Sequence, residues 1–503
     1  MTSMVDLKAL WGVFPPKAEA DRLTLYDLYR KVLTGDHQAA FGGASAHKPN
    51  SELSRVVNAG FLASQMKREH YVALNFCKTV ATTFASKMFG GRVEYRIGKD
   101  EDPAQERFKQ VIIDNTLDII NIEQAVASTA LSGCVYRVRW GKAADWKEEM
   151  PVIEAIPAKN YFALAAPDNV KSVYAKVLAF PFDVARKRYV KVEIHEPYTI
   201  THELWLMKGQ QFDKLVPFDS VRGYEKLVSA VSDGEEQLAN CHLDGNRIIE
   251  DTGYPGMMVE YVPNFVLPDE YYGHSDYANL LSIQSDINES STGVLRVILK
   301  HIDPKLIVPP GTLQYDTARK RWYVLKEDME TVELDEKVGA VLPRYVTWDA
   351  QLGAARANID ALFEAFMIIA DVSLSLLGIT KYSTAESGDA IELKMAQTTD
   401  AVQRKRRYFD TGLKNILYAA QWLDCHYGKN PSMPQEVSIT WPSPVPMGAS
   451  EATRLHAERK REGLESQRTA VRAVLGLDGE ALRDEIEAMR SEHEQNDTDE
   501  QPT

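Results

Sequence analysis

The chain has 503 residues, 44% of them apolar and 26% charged, enough to bury one large core or several. Its formal net charge of −14 argues against a protein that grips DNA through many phosphate contacts, because that affinity comes from Lys and Arg displacing counterions. An acidic wall past which a duplex slides remains compatible with it, as does plain solubility. No stretch approaches the roughly 18 to 20 uninterrupted apolar residues of a membrane span, so no membrane partner is expected.

The start, MTSMVDLKALWGVF, does not read as a secretory signal, and synthesis in the cytoplasm is expected. A short helix is predicted at 22–33, followed by a Gly/Ser/Pro-containing connector at 41–50. Apolar residues near helical spacing predict a longer helix over 51–90, stopped by Gly90 and Gly91 and followed by a short strand, GRVEYRI. A second helix is predicted over 104–132, ending at Gly133.

From about 134 to 265 the pattern changes to period two and predicts an antiparallel region of short strands. VYRVRW at 135–140 and YVKVEIHE at 189–196 are examples, with turns at Asp233-Gly234 and Asp244-Gly245. Signals are weakest over 205–255. A helix follows over 277–299, then a compact strand-containing insert at 301–346, then a second long helix over 348–377 stopped by Gly378. A polar loop, ITKYSTAESGD at 379–389, leads into a third long helix over 389–426. A strand is expected in EVSITW at 436–441. Charged helical segments are expected over 450–474 and 479–490, with a polar, acidic, disordered tail from Ser491 onward.

Signatures of common chemistry are absent from the sequence: it has no GxxxxGK[ST] phosphate loop, no HExxH and no GxSxG. Cys77, Cys134, Cys241 and Cys425 form no CxxC pair, so they read as thiols in a reducing compartment rather than a zinc site or a disulfide framework. His195-Glu196 and His202-Glu203 lie on neighbouring predicted strands, and nothing in their spacing brings the two pairs together. Arg404-Lys405-Arg406-Arg407 lies within the third long helix, where successive side chains point around the axis. Solvated or salt-bridged charge is the expectation there, with a neighbouring subunit or DNA as the alternative. Arg319, Lys320 and Arg321 beside Trp322 sit at a turn of the insert, a combination that suits nucleic acid or an acidic partner as well as an ordinary hairpin. No cofactor, metal or catalytic residue is expected.

The order helix–insert–helix–loop–helix, with an acidic helical C-terminus, resembles the portal proteins of tailed double-stranded DNA bacteriophages, of the siphophage type. LYDLYRKVLTGDH at 25–37 is similar to the family's spaced tyrosines and Gly-x-His step. NFCKTVATTFASKMFGGRVEYRI at 75–97 is similar to its helix ending in a glycine and a short strand. TAESGDAIELKMAQTTDAVQRKRRYFDTGLKNIL at 384–417 is similar to its polar loop, Gly-x-Ala-Ile step and basic long helix.

The resemblance implies an α+β portal fold with long stem helices, a small α/β clip, a β-rich wing and a helical crown, assembled as a ring of twelve. Residues 1–270 and 390–445 would be wing, 271–300 and 347–378 stem, 301–346 clip, 379–389 tunnel loop and 446–495 crown, with a disordered tail at 496–503. Lys381, Tyr382, Ser383, Thr384 and Glu386 would then face DNA in the channel, and Arg319, Lys320, Arg321 and Trp322 would meet partners at the clip. The implied partners are double-stranded DNA, the terminase large subunit, a head–tail adaptor, and the major capsid and scaffolding proteins, at the portal vertex of the virion. The implied protein is not an enzyme. The competing readings are a metal-dependent DNA-processing enzyme and another head–tail connector or capsid-assembly protein.

Overall fold

The computed structural model describes residues 5–41, 71–98, 103–142, 149–222, 224, 240–301, 306–307, 314–316, 321–323, 344–345, 352–377, 388–428, 432–444, 449–477 and 479–499. The chain is mixed α and β, with several separate sheets. It opens with α1 (Leu7–Trp11), α2 (Ala20–Thr34) and α3 (His37–Phe41), then α4 (Phe76–Phe89) and β1 (Glu94–Arg96). Asn75 caps α4 by accepting from the Lys78 amide, which satisfies one of the orphan donors of the first turn. Residues 71–75 are not helical, so the expected helix does not run through them, and the helix that reaches Phe89 starts at Phe76. Residues 51–70 lie outside the described residues.

The single helix expected over 104–132 is two, α5 (Pro103–Asp114) and α6 (Leu117–Leu131). Thr116, at φ +49°, breaks the right-handed path. The Asn115 side chain pins the break by donating to the carbonyls of Val111 and Pro151 and accepting from the Ile153 amide.

The β-rich region holds β2 (Gly133–Gly141), β3 (Met150–Ile156), β4 (Tyr161–Ala166), β5 (Asn169–Val184), β6 (Lys187–Glu196), β7 (Thr199–Lys208), β8 (Gln211–Leu215), β9 (Cys241–Asp244), β10 (Arg247–Asp251) and β11 (Val259–Pro263). At 16 residues, β5 is longer than the short strands expected. One antiparallel sheet runs β11-β2-β3. The other runs β4-β5-β6-β7-β10-β9, with β8 sharing the far edge of β7. Alternation along β6 sends Val190, Val192 and Ile194 to a core that also receives Leu7 and Phe14 from the N-terminal segment. The opposite face carries Tyr189, which packs with Leu204, Phe218 and Ile248.

Next comes α7 (Leu281–His301), after a 3₁₀ turn at Asp276–Asn279. The insert contributes β12 (Leu306–Ile307), β13 (Gln314–Asp316), β14 (Arg321–Tyr323) and β15 (Arg344–Tyr345), paired β12 with β15 and β13 with β14. Helix α8 (Leu352–Ile369) stops eight residues before the expected end, because Asp371 takes φ +56° and a 3₁₀ turn at Leu374–Leu377 follows. Helix α9 (Gly388–His426) runs 39 residues and packs against the three-stranded sheet. Its Gly412 lies where an added Cβ would stand 2.3 Å from Val262 Cγ2, so the helix crosses β11 at glycine distance.

Strand β16 (Ser438–Thr440) pairs with β1, joining two strands read separately in the sequence. The segment expected as one helix over 450–474 is α10 (Ala449–Arg461) and α11 (Gln467–Leu475), parted at Gly463, φ +72°. The expected disordered tail is instead helical as far as Asp499, within α12 (Gly479–Asp499), whose Glu, Ala, Arg and Gln residues are strong helix formers. The largest core gathers α2, α4, α6, the three-stranded sheet, the inner ends of α7 and α8, and α9. Full burial of each of its Leu, Val, Ile and Phe side chains is worth roughly 1.5–3 kcal/mol.

Candidate functional site

Of the residues singled out in the sequence, Lys381, Tyr382, Ser383, Thr384 and Glu386 lie outside the described residues, as do Arg319 and Lys320. Arg321 and Trp322 are on β14, opposite Asp316 and Tyr315 of β13, so the insert does contain the hairpin considered for it.

The basic run on α9 separates by direction. Arg404 is exposed and pairs with Asp371 at 3.0 Å. Lys405 is buried; its ammonium donates to Asn264 Oδ1 and to Asp276 Oδ2, the latter at 2.7 Å, above the Phe84 ring. Arg406, also buried, donates to the carbonyls of Pro442 (2.7 Å), Lys87 (2.8 Å) and Met88 (3.2 Å), over the Trp441 ring. Two of the four charges are thus internal fasteners, which the composition of the run alone does not disclose.

Helices α7 and α8 are antiparallel at their base: Phe76 abuts Phe363 and Phe366, near the end of α8, while its amide reaches Gln284, near the start of α7. One face of α7 is polar and buried, with Gln284, Ser285, Asn288 and Thr292. Three of these side chains accept backbone amides of the extended segment: Gln284 from Phe76, Asn288 from Leu74 and Thr292 from Val72. Four residues of helix rise about 6.0 Å and two residues of extended chain about 6.6 Å. A helix carrying acceptors every fourth residue therefore matches an antiparallel strand's alternate amides, and α7 serves this strand as a sheet edge would. Asn288 Nδ2 also donates to His37 Nδ1 at 2.8 Å, which ties α3 to the same stripe. The outer face of the helix pair is different. Ile298, Leu352, Ile368 and Ile369 are exposed, and of α8 only Phe366 and Met367 are buried.

A second constellation lies between the two large sheets. In the β6–β7 hairpin, Glu193 faces His202 and His195 faces Ile200, while on the neighbouring pair His202 faces Ile248. This register brings His195 and His202 together around Glu193, which correct spacing along the chain could not show until the strands were paired. Arg137, on β2, spans the gap between sheets: its Nη1 reaches Glu193 Oε2 at 2.6 Å and its Nε reaches Glu154 Oε2 at 2.9 Å. Lys191 donates to Glu193 Oε1 at 2.8 Å, and Arg139 donates twice to Glu154 Oε1. Burial pushes the Glu193 carboxyl up, but His195, Lys191, Arg137 and His202 outweigh it and hold the group well below the usual carboxylate range. Burial lowers His195 against the pull of Glu193, so its imidazole is neutral near pH 7.

The other halves of the two His-Glu pairs do not join this group. Glu203 points to the opposite side of β7, where it accepts from Trp205 Nε1 and Arg247 Nε, both at 2.7 Å. A cavity of about 250 Å³ is lined by His195, His202, Glu193, Trp140, Phe218 and Tyr427, among others. The signal available in the sequence was the turn at Pro197-Tyr198: once a two-residue hairpin turn is placed there, the pairing of 193 with 202 follows.

Among the described residues no group of three or more His, Cys, Asp and Glu side chains is placed to hold a metal ion, and no helix is long and apolar enough to cross a membrane. All four cysteines are free thiols, Cys77 and Cys134 buried. A scan against protein-family models finds no match, and a search of curated proteins finds none either.

Proposed function

We propose that the chain is a portal subunit of a tailed double-stranded DNA bacteriophage, one of about twelve that form the ring through which the genome enters and leaves the capsid. The observation that carries this reading is the antiparallel pair α7 and α8. They leave the main core together, bracket a small strand-containing insert closed at its base by β12 and β15, and expose apolar side chains on their outer face. An 18-residue helix of this composition with two buried residues leaves apolar surface that a second copy would cover. In this reading the insert is the clip that meets terminase and head–tail adaptor, residues 379–389 form the tunnel loop, and the protein is a conduit and docking platform without catalysis of its own. The family-like motifs at 25–37, 75–97 and 384–417 support it.

Native mass measurement with negative-stain imaging of the same sample tests the proposal, with a nuclease assay on linear duplex DNA in Mg²⁺ and Mn²⁺ alongside. A ring of about twelve subunits with a central hole and no DNA cleavage is the expected result. A monomer or dimer at every salt and concentration tried, with metal-dependent cleavage, would overturn it in favour of a DNA-processing enzyme.

A further inference from the structure

A recess of about 110 Å³ opens where α11 meets β1 and the corner between α5 and α6. Four cationic side chains line it: Arg92, just before β1, Arg96 at the end of that strand, Lys109 of α5 and Arg472 of α11. The carboxylates on the same wall are Glu94 and Asp118. Positive charge is therefore in excess among the lining residues, in a chain whose net charge is −14.

Glu94 displays the chemistry these arginines recognise. Its Oε2 accepts from Arg96 Nη2 at 3.0 Å, and its Oε1 stands 3.2 Å from Arg472 Nε. One carboxylate is thus shared between two guanidiniums, each with five donors in a planar fork, so the pair can serve more acceptor oxygens than Glu94 brings. Lys109 reaches Glu106 Oε1 at 3.0 Å, but Glu106 is 68% exposed; a pair so exposed contributes little, and the ammonium can turn to another anion at small cost. The Arg96 and Lys109 side chains are 40% and 37% exposed, so an entering ion can reach them. Val93 and Ile112 supply apolar wall, which thins the water and strengthens attraction between charges. At ~30 Å³ per water the space holds only a few, which suits one central atom and its oxygens better than a ring system. A phosphate group has that size, a charge of about −1.5 to −2, and oxygens in several directions, whereas a carboxylate offers two in one plane.

We propose that this recess binds a phosphate group, held by Arg92, Arg96, Lys109 and Arg472. Bound there, the group fastens α11 to β1 and α5, which lie far from it in sequence. Two sources supply that chemistry, free inorganic phosphate and the backbone of a nucleic acid. The site is independent of the portal reading, since it uses no residue of the stem, clip or tunnel loop.

Isothermal titration of the full chain tests this, with inorganic phosphate in one arm and a short DNA duplex in the other, at ionic strength held constant with chloride. Hydrogen exchange across Gln467–Leu475 is followed with and without each probe. The expected result is saturable binding of inorganic phosphate and slower exchange in α11. Arg472→Gln and Lys109→Gln should each weaken binding roughly tenfold or more, the loss of one charge-assisted hydrogen bond. Binding of the duplex alone, weakened by the same two substitutions, supports the site and assigns its phosphate to nucleic acid. Absence of saturable binding in both arms overturns the proposal. So does binding that Lys109→Gln leaves unchanged, or binding with no change of exchange in α11. Arg472→Gln also removes a partner of Glu94, so if that variant loosens α11 by itself, Lys109→Gln, whose own partner is the exposed Glu106, decides.

Discussion

His37 is the residue whose protonation state the structure specifies most narrowly. Its Nδ1 accepts from Asn288 and its Nε2 donates to the Val32 carbonyl at 3.2 Å, an arrangement only the neutral ring can make. Burial lowers its pKa from the ordinary value of 6.5, against smaller pulls from Val32, Asn75 and Asp36. The unfolded chain takes up the proton first as pH falls, so this contribution to stability is complete above about 6.5 and is lost progressively below it. His37→Gln should therefore flatten the fall in stability between pH 7 and 5, read by urea unfolding across that range. Lys405 makes a second prediction at this scale. Removing one partner of a buried ion pair costs roughly 3–5 kcal/mol, and because Asp276 keeps some solvent contact the lower end applies. Lys405→Met should lower unfolding free energy by about 3 kcal/mol, measured at neutral pH.

Among the elements, α7 has two faces with different tasks. Its inner stripe replaces a strand as hydrogen-bond partner for residues 72–76, and its outer end shows Ile298 to solvent. Thr292→Val preserves shape and removes the acceptor for the Val72 amide. The expected outcome is loss of about 1 kcal/mol or more of stability, with faster hydrogen exchange at Val72 than at amides of the neighbouring helix α4. Equal exchange at Val72 in both proteins would show that the segment is held by something other than this stripe. Helix α9 is the complementary case. Its apolar positions were legible by their recurrence, whereas its fastening through Lys405 and Arg406 depends on carbonyls and carboxamides far away in sequence.

For the whole molecule, the uneven distribution of buried surface matters most. The inner ends of α7 and α8 join the main core, and their outer lengths do not. Ile368, at the inner end of α8 but 62% exposed on the side away from the core, is well placed to report whether a second copy covers the helix. In the portal reading Ile368→Glu should convert rings to monomers or small oligomers in native mass measurement, while subunit stability changes by no more than about 0.5 kcal/mol, as for other exposed positions. Rings that persist unchanged in this variant would place the subunit contact elsewhere.

Much of the element order was determined by the sequence alone, because periodicity is a local property: α2, β1, β16, the strands over 133–208, β11 and the start and end of α9 follow from 3.6-residue or two-residue recurrence and nearby stop signals, whereas β8, β9 and β10 lie where those signals were weakest. The same local reasoning ran helices through Thr116, Asp371 and Gly463, where left-handed backbone breaks them, and through 71–75, where the partner is a side-chain stripe more than 200 residues away. Only the tertiary structure decided that two basic residues of α9 are internal and that Glu193, His195, His202 and Arg137 share one cavity wall. The physical reason is the same in each case. Burial, pairing of charges and strand register depend on which distant segments meet, and hydrogen-bonding needs at those meeting points override what each segment would do by itself.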